Sequence, residues 1–276
     1  MLPGQKFSKL EALGNDFVLL DQRVGGTLPD GDRIRALADR HTGIGFDQLL
    51  ILRPANDPTA NCSVAIYNRD GGSASQCGNG LRAIGLWLHQ ETPDRREFVI
   101  EIPAGITPVQ VDPEGRVGVD MGCPDFAADA VGLTEPIDPR RLADAIPGFV
   151  AAGTVSMGNP HLVVLLRAPA TPDLVEGIGA ALGRSPTFAD GVNVSLACTG
   201  AAGDVDLRVY ERGAGATRAC GSAACATAAW LLHEQRVRGP VRVRQPGGEL
   251  VIDWGGAGRS LRMSGPARRV FDGILR

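Results

Sequence analysis

The chain has 276 residues, of which 43% are hydrophobic and 21% charged, and its formal net charge is −3. This composition is typical of globular proteins and excludes fibrous and intrinsically disordered classes. The chain has no basic run and no apolar run that approaches the length of a membrane span, so we expect neither a nucleic-acid nor a membrane partner. Because residues 1–9 lack an apolar leader, we expect a cytoplasmic location.

The first half of the chain begins with a Gly-Asn pair at residues 14–15 that leads into an apolar run, which predicts a strand. An amphipathic helix is expected near residues 32–40, and further strands follow it. A second helix is predicted after Cys77, with Trp87 ten positions later as a core anchor. A hairpin that turns at residues 112–115 closes this half.

The second half repeats this order. The Gly-Asn pair recurs at residues 158–159, a helix is expected near residues 173–182, and Cys220 precedes a further helix with Trp230 ten positions later. A hairpin within residues 248–263 closes the half. Corresponding motifs are separated by 143 to 145 positions, as from Cys77 to Cys220, which indicates an internal repeat.

The repeat predicts an α+β fold of two homologous domains, residues 1–122 and 123–264, each a mixed β-sheet wrapped round a central helix. Two such domains usually face each other across a pseudo-twofold axis. We therefore expect the active site in the cleft between them.

Two cysteines stand at predicted helix N-termini, Cys77 and Cys220. The N–H groups and the dipole at a helix start favour the thiolate form. If the two thiols face each other across a cleft, one can remove a proton from a tetrahedral carbon and the other can return a proton to the opposite face. This arrangement predicts an enzyme that inverts a stereocentre.

The other four cysteines are interpreted differently. Cys225 lies within the second helix and is expected to pack there, and Cys62, Cys123 and Cys198 are expected to be structural. No Cys-x-x-Cys pair occurs and the four histidines are scattered, so we expect no metal site.

Pyridoxal phosphate is the usual cofactor of amino-acid racemases, and it requires a lysine Schiff base. The only lysines are Lys6 and Lys9 near the chain start, so we expect no cofactor. Negative charge on a substrate carboxylate would then be stabilised by the backbone N–H groups after each cysteine, at residues 78–79 and 221–222.

Polar side chains recur at equivalent positions of the two halves and are candidate substrate contacts. They are Asn15, Gln48, Asn68, Asn159, Asn193, Glu211 and Arg212. This set of amides with one carboxylate and one guanidinium suits a substrate that is zwitterionic at both ends. His161 is a candidate to tune a nearby thiol, whereas Asn15 and Asn159 also fit a simple role in turns.

The chain resembles the diaminopimelate epimerases, cofactor-independent enzymes of lysine and peptidoglycan-precursor biosynthesis. The resemblance runs through nearly the whole chain and rests on residues 13–17, 43–47, 68–80, 157–161, 191–194 and 211–221.

This resemblance implies that Cys77 and Cys220 are the catalytic acid/base pair, and that they interconvert LL- and meso-2,6-diaminopimelate. It implies a homodimer and a C-terminal segment, residues 265–276, that joins the first domain. His161 and Glu211 match positions that modulate the cysteines. The implied substrate contacts are Asn15, Gln48, Asn68, Gly78, Asn79, Asn159, Asn193, Glu211, Arg212, Gly221 and Ser222.

Three alternatives remain open at the level of sequence. One is a racemase of the same fold that acts on another amino acid, such as histidine. Another is an isomerase or dehydratase of the same fold, although such relatives tend to lack one or both cysteines. The third is an amino-acid-binding protein without catalytic activity.

Overall fold

A computed structural model describes residues 4–200 and 202–275. These residues form two compact units. Unit 1 runs up to Asp120 and resumes at Ser264, and unit 2 comprises Met121–Met263. Residues 1–3, where the first expected domain begins, and residue 276, where its returning segment ends, lie outside the described residues.

Unit 1 consists mainly of strands, with two helices. In chain order its elements are β1 (Lys6–Ala12), β2 (Asn15–Asp21), α1 (Gly31–Ala38), β3 (Gln48–Arg53), β4 (Cys62–Asn68), β5 (Ser73–Ala74), α2 (Gly78–Glu91), β6 (Glu97–Ile102), β7 (Gly105–Val111) and β8 (Val117–Asp120).

Unit 2 follows, and the chain then returns to unit 1 with one last strand. The elements are α3 (Pro139–Ala145), β9 (Phe149–Ser156), β10 (Pro160–Leu166), α4 (Pro172–Gly183), β11 (Asn193–Thr199), β12 (Val205–Glu211), β13 (Gly215–Thr217), α5 (Gly221–His233), β14 (Val241–Gln245), β15 (Gly248–Trp254), β16 (Leu261–Gly265) and, in unit 1, β17 (Arg268–Ile274).

The two units pair their strands in the same order. In unit 1, β2 is antiparallel to β1 and parallel to β3, β3 is antiparallel to β4, and β4 is parallel to β6. In unit 2, β10 is antiparallel to β9 and parallel to β11, β11 is antiparallel to β12, and β12 is parallel to β14. The predicted α+β class with mixed sheets is confirmed, and the repeat read from the sequence is also a repeat of strand pairing.

The predicted helices and the first hairpin are confirmed. The helix expected near residues 32–40 is α1, and the one expected near residues 173–182 is α4. Asp30 and Thr171 cap these two helices by accepting backbone N–H groups, which explains where each helix begins. The first hairpin joins β7 to β8, with Val109 opposite Val119.

Helix α2 is buried against the strands of its own unit. A Cβ placed on Gly85 would lie 2.5 Å from Cγ1 of Val109 and 2.9 Å from Cγ1 of Val117, so only glycine permits this close approach of helix and sheet. Trp87 is 5% exposed and its Nε1 donates to Ser8 Oγ at 3.0 Å. Trp230 in α5 is likewise 5% exposed, as expected of a core anchor.

Two expectations were wrong. The second half contains a third helix, α3, which offers no periodic apolar pattern because Leu142 is its only buried residue. It forms because Asp138 caps it by accepting the N–H of Arg140, with Pro139 at its first position. Cys123 is exposed rather than buried in a structural position, whereas Cys62, Cys198 and Cys225 are buried.

Among residues 4–200 and 202–275, no helix combines the length and apolar character required to cross a membrane. In the same ranges, no cluster of three or more His, Cys, Asp or Glu side chains is arranged to hold a metal ion.

The contact between β9 and α5 predicts a large effect of Gly153→Ala. A Cβ at Gly153 would lie 2.0 Å from Nε1 of the buried Trp230, so the ring must move. We expect the substitution to lower the free energy of unfolding by about 2 kcal/mol or more, as in overpacked cores. Denaturant unfolding measures this change.

Gly177→Ala is the matched control, because a Cβ there meets nothing within 4 Å and the residue lies in α4. We expect it to stabilise the protein by about 0.5–1 kcal/mol through helix propensity. Equal stability of the two variants would contradict the proposed Trp230 contact.

Candidate active site

Cys77 caps the N-terminus of α2, and the N–H of Gly80 donates to its Sγ at 3.2 Å. The thiol is half-buried, and Gly78, Asn79 and Gly80 behind it are buried. A Cβ on Gly80 would lie 3.2 Å from Leu50 Cδ2 and 3.3 Å from Cys77 Sγ, so glycine lets the first turn sit against β3. Backbone N–H groups of this first turn are the donors that a bound anion would use.

The predicted contacts of unit 1 lie at one end of its sheet. Asn15 begins β2, Gln48 begins β3 and Asn68 ends β4. Gln48 is opposite Asn68 in the ladder, and its Nε2 donates to Asn68 Oδ1 at 2.9 Å. Asn79 donates from Nδ2 to Asn15 Oδ1 at 3.4 Å, which links the strand end to the start of α2.

A group of charged side chains supports this end of unit 1. Asp16 receives hydrogen bonds from Lys9 and from Arg40, and Arg40 also donates to Asp47 at 2.8 Å. Burial raises the pKa of Asp16, but the bonds from Arg40 and Lys9 outweigh it and hold that pKa well below its ordinary value. Ion pairs therefore support the sheet end around Asn15.

Cys220 occupies the N-cap position of α5 and is 6% exposed. Burial raises the pKa of Cys220 well above its ordinary value, and the nearby charge of Glu211 raises it further. Hydrogen bonds with the Ser222 hydroxyl, at 3.5 Å, and with the Ala223 N–H lower the pKa of Cys220, but they do not offset the effects of burial and Glu211. The protein alone therefore favours the neutral thiol at this position.

A chain of polar contacts leads from His161 to this thiol. His161 Nε2 lies 2.9 Å from Asn159 Oδ1, and Asn159 donates from Nδ2 to Ser222 Oγ at 3.4 Å. Burial lowers the pKa of His161 to about 3, with a further contribution from the charge of Arg212. The ring is therefore neutral near pH 7, and it donates from Nε2 because Asn159 offers an oxygen.

The remaining predicted contacts of unit 2 also lie together. Asn193 accepts the backbone N–H of Arg212 at 3.0 Å and donates to the carbonyl of Pro160 at 2.9 Å. Glu211 accepts from the Thr217 hydroxyl. The guanidinium of Arg212 donates to the carbonyl of Asp190 at 2.9 Å, and the residue is exposed.

Sequence reasoning missed Gln245. Its Oε1 accepts the backbone N–H of Cys220 at 2.8 Å, and the side chain is 7% exposed. The internal repeat contained the signal, since Gln245 lies 143 positions after Ile102, the same spacing as between the two cysteines. Because the equivalent residue in unit 1 is an isoleucine, the buried amide of Gln245 indicates a role at Cys220 that has no counterpart at Cys77.

The model of the diaminopimelate epimerase family matches residues 7–127 and 153–270. The chain belongs to this family. A diaminopimelate epimerase of Xanthomonas campestris pv. campestris is 43% identical over 272 residues, covering 97% of this chain and 95% of the relative. One of Azoarcus sp. is 38% identical over 275 residues, covering 98% of each chain.

The fold of this family member also resembles solved structures of low sequence identity. A crystal structure of the phenazine biosynthesis protein of Bacillus anthracis, from the PhzF family, superimposes with a TM-score of 0.73 at 15% identity and full coverage of both chains. At this identity the likeness concerns the fold alone.

The buried ring of His161 predicts a pH dependence of stability in this family member. Its folded-state pKa of about 3 lies below the ordinary 6.5, so the unfolded chain binds the proton first as the pH falls. The stabilisation is complete above pH 6.5 and declines by about 1.4 kcal/mol per pH unit towards pH 3. We expect His161→Gln to remove this component.

Unfolding free energies at pH 7.5 and pH 5 measure the effect, with exposed His233→Gln as the control. Wild type and the control should each lose about 2 kcal/mol more than His161→Gln between these values. An equal loss of unfolding free energy in all three proteins would show that the pKa of His161 is not lowered in the folded state.

Gln245→Ile copies the residue at the equivalent position of unit 1 and frees the N–H of Cys220. We expect the helix start to loosen around the thiol, so that Cys220 reacts with iodoacetamide at least about threefold faster, as for a locally opened site. Mass spectrometry of the labelled peptides gives the rate for each cysteine, and Cys77 is the internal reference. Equal acceleration of both cysteines would indicate general destabilisation instead.

Proposed function

We propose that this protein is a diaminopimelate epimerase that interconverts LL- and meso-2,6-diaminopimelate with two cysteines and no cofactor. One observation carries the proposal: in a chain of this family, Cys77 and Cys220 occupy the N-cap positions of helices α2 and α5, which are equivalent positions of an internal repeat. Each cysteine therefore stands at a helix start that can hold an anion.

The reaction needs one thiolate and one thiol. The thiolate removes the α-proton and becomes a thiol, and the electron pair of the broken C–H bond is delocalised into the substrate carboxylate. The opposite thiol then gives its proton to the other face of the carbon, so the two cysteines exchange protonation states in each turnover. Because burial and Glu211 favour neutral Cys220, we propose that Cys220 starts as the acid and Cys77 as the base.

The polar groups suit a substrate with two amino-acid ends. Backbone N–H groups at the starts of α2 and α5 are donors for the carboxylate next to the reacting carbon. Glu211 supplies an anion for an ammonium group, and the exposed guanidinium of Arg212 suits a second carboxylate. Gln48 Oε1 and Asn79 Oδ1 are buried acceptors without a partner among the described residues, as expected where a ligand N–H donates.

The proposal extends to the setting of the enzyme. A role in lysine and peptidoglycan-precursor biosynthesis, a cytoplasmic location and a homodimer are supported by the family resemblance. His161 and Glu211 are proposed to modulate Cys220, with which both are connected through the contacts described above.

Turnover of LL-diaminopimelate, compared with a panel of L-amino acids that includes histidine, tests the substrate. We expect conversion of diaminopimelate alone, with deuterium from heavy water at the α-carbon of the product. Racemisation of another amino acid without action on diaminopimelate would indicate a different racemase of this fold. Binding without α-hydrogen exchange would indicate a protein that only binds amino acids.

Cys77→Ala and Cys220→Ala test the two-base scheme. Each should lower the rate of epimerisation by at least about 1,000-fold, because neither thiol can serve both faces of the carbon. Cys123→Ala is the control, since this exposed cysteine lies outside the proposed site, and its rate should equal that of wild type. Substantial epimerisation by either active-site variant would refute the scheme.

A further inference from the structure

The same hydrogen bond joins a strand to a helix start in both units, but its direction is reversed. In unit 1, Asn79 donates to Asn15, and in unit 2, Asn159 donates to Ser222, each over 3.4 Å. Asn79 and Ser222 are equivalent, since each lies two residues after its cysteine. The side chain two residues after the cysteine therefore donates its hydrogen bond in unit 1 and accepts it in unit 2.

Asp47 determines the direction in unit 1. Its Oδ2 lies 3.0 Å from Asn15 Nδ2. A carboxylate only accepts hydrogen bonds, so the amide of Asn15 must turn its nitrogen towards Asp47. The oxygen of Asn15 then faces Asn79, so Asn79 must turn its Nδ2 group towards Asn15 and donate.

Asp47 is itself held rigidly. The same Oδ2 accepts the backbone N–H of Asp16 at 3.1 Å, and Oδ1 accepts from Arg40 at 2.8 Å. The backbone N–H of Asp47 donates to the carbonyl of Asp16 at 3.0 Å, which ties the start of β3 to β2. Arg40 supplies a neighbouring positive charge, so this acceptor is kept in place beside Asn15.

Unit 2 has no carboxylate at this position. By the 145-residue offset that relates Gln48 to Asn193, the counterpart of Asp47 is Val192, which is fully buried. The oxygen of Asn159 faces the ring nitrogen of His161 instead, and its nitrogen faces Ser222. Since Ser222 accepts from Asn159, its own hydrogen is available to Cys220.

We propose that Asp47 is a positioning residue that makes the helix start of unit 1 chemically unlike that of unit 2. By fixing Asn15, it turns Asn79 so that Asn79 Oδ1, buried and without a partner among the described residues, is an acceptor for an N–H group of the substrate. The equivalent point of unit 2 presents a hydroxyl hydrogen to a thiol. Asp47 thereby decides that the start of α2 accepts an N–H group of the substrate, and this role rests on the proposed function.

The test uses Asp47→Asn, Asn15→Asp and the double variant. In Asp47→Asn the carboxamide no longer forces Asn15 to turn, so we expect KM for LL-diaminopimelate to rise about tenfold, the equivalent of one hydrogen bond, with kcat little changed. Asn15→Asp places two carboxylates side by side and should be more severely impaired. In the double variant the new carboxamide at position 47 can donate to the new carboxylate at position 15, which again presents an oxygen to Asn79.

We expect the double variant to recover KM to within about threefold of wild type, since position 15 again presents an oxygen to Asn79. A merely structural role of Asp47 predicts no rescue, because the second substitution would add to the damage. Asp32→Asn in α1 is the matched control, an exposed acid-to-amide change in the same unit that should leave KM unchanged. Unchanged KM in Asp47→Asn, or a double variant no better than the single ones, would overturn the proposal.

Side-chain amide NMR spectra give a readout without substrate. The Asn15 Nδ2 protons should be protected from exchange in wild type and lose that protection in Asp47→Asn, and in the double variant a protected amide should reappear at position 47. Unaltered Asn15 signals in Asp47→Asn would overturn the inference. Absence of diaminopimelate turnover in wild type, by contrast, would count against the proposed function and leave this readout intact.

Discussion

The backbone N–H groups at the start of a buried helix need hydrogen-bond partners, and this requirement determines which residues stand at the starts of α2 and α5. Helices α2 and α5 both begin inside the protein, where water cannot replace a missing partner. A cysteine occupies the N-cap position of each helix, and in α2 its Sγ accepts the N–H of Gly80. The glycines and small residues that follow are required because the first turn lies directly against strands, as Gly80 does against Leu50.

Duplication provided the two equivalent helix starts, and divergence at supporting positions made them different. Unit 1 surrounds its site with ion pairs among Lys9, Asp16, Arg40 and Asp47, whereas unit 2 uses a neutral, fully buried histidine. The backbone frame is nearly the same in both. The two helix starts therefore differ through the side chains that support them.

Periodicity and the repeat predicted the α+β class and the helices α1, α2, α4 and α5, because apolar periodicity and Gly-Asn turns are local signals. Helix α3 was missed because its stability comes from a cap and not from an apolar face. The role of Gln245 depends on a contact between residues 25 positions apart, and no local pattern reports such a contact. The comparison with Ile102 was available in the sequence, but only a structure shows what the amide binds.

The return of the chain to unit 1 has a consequence for folding during translation. Strand β17 pairs with β1 through residues from Lys6 to Glu11, so the sheet of unit 1 contains both ends of the described chain. Unit 2 is contiguous from Met121 to Met263. During translation every strand of unit 2 leaves the ribosome before β17 does, so the second half of the chain can complete its sheet first. Strand β1 is synthesised long before β17, and until β17 is made the edge of β1 that it covers is open to incorrect pairing.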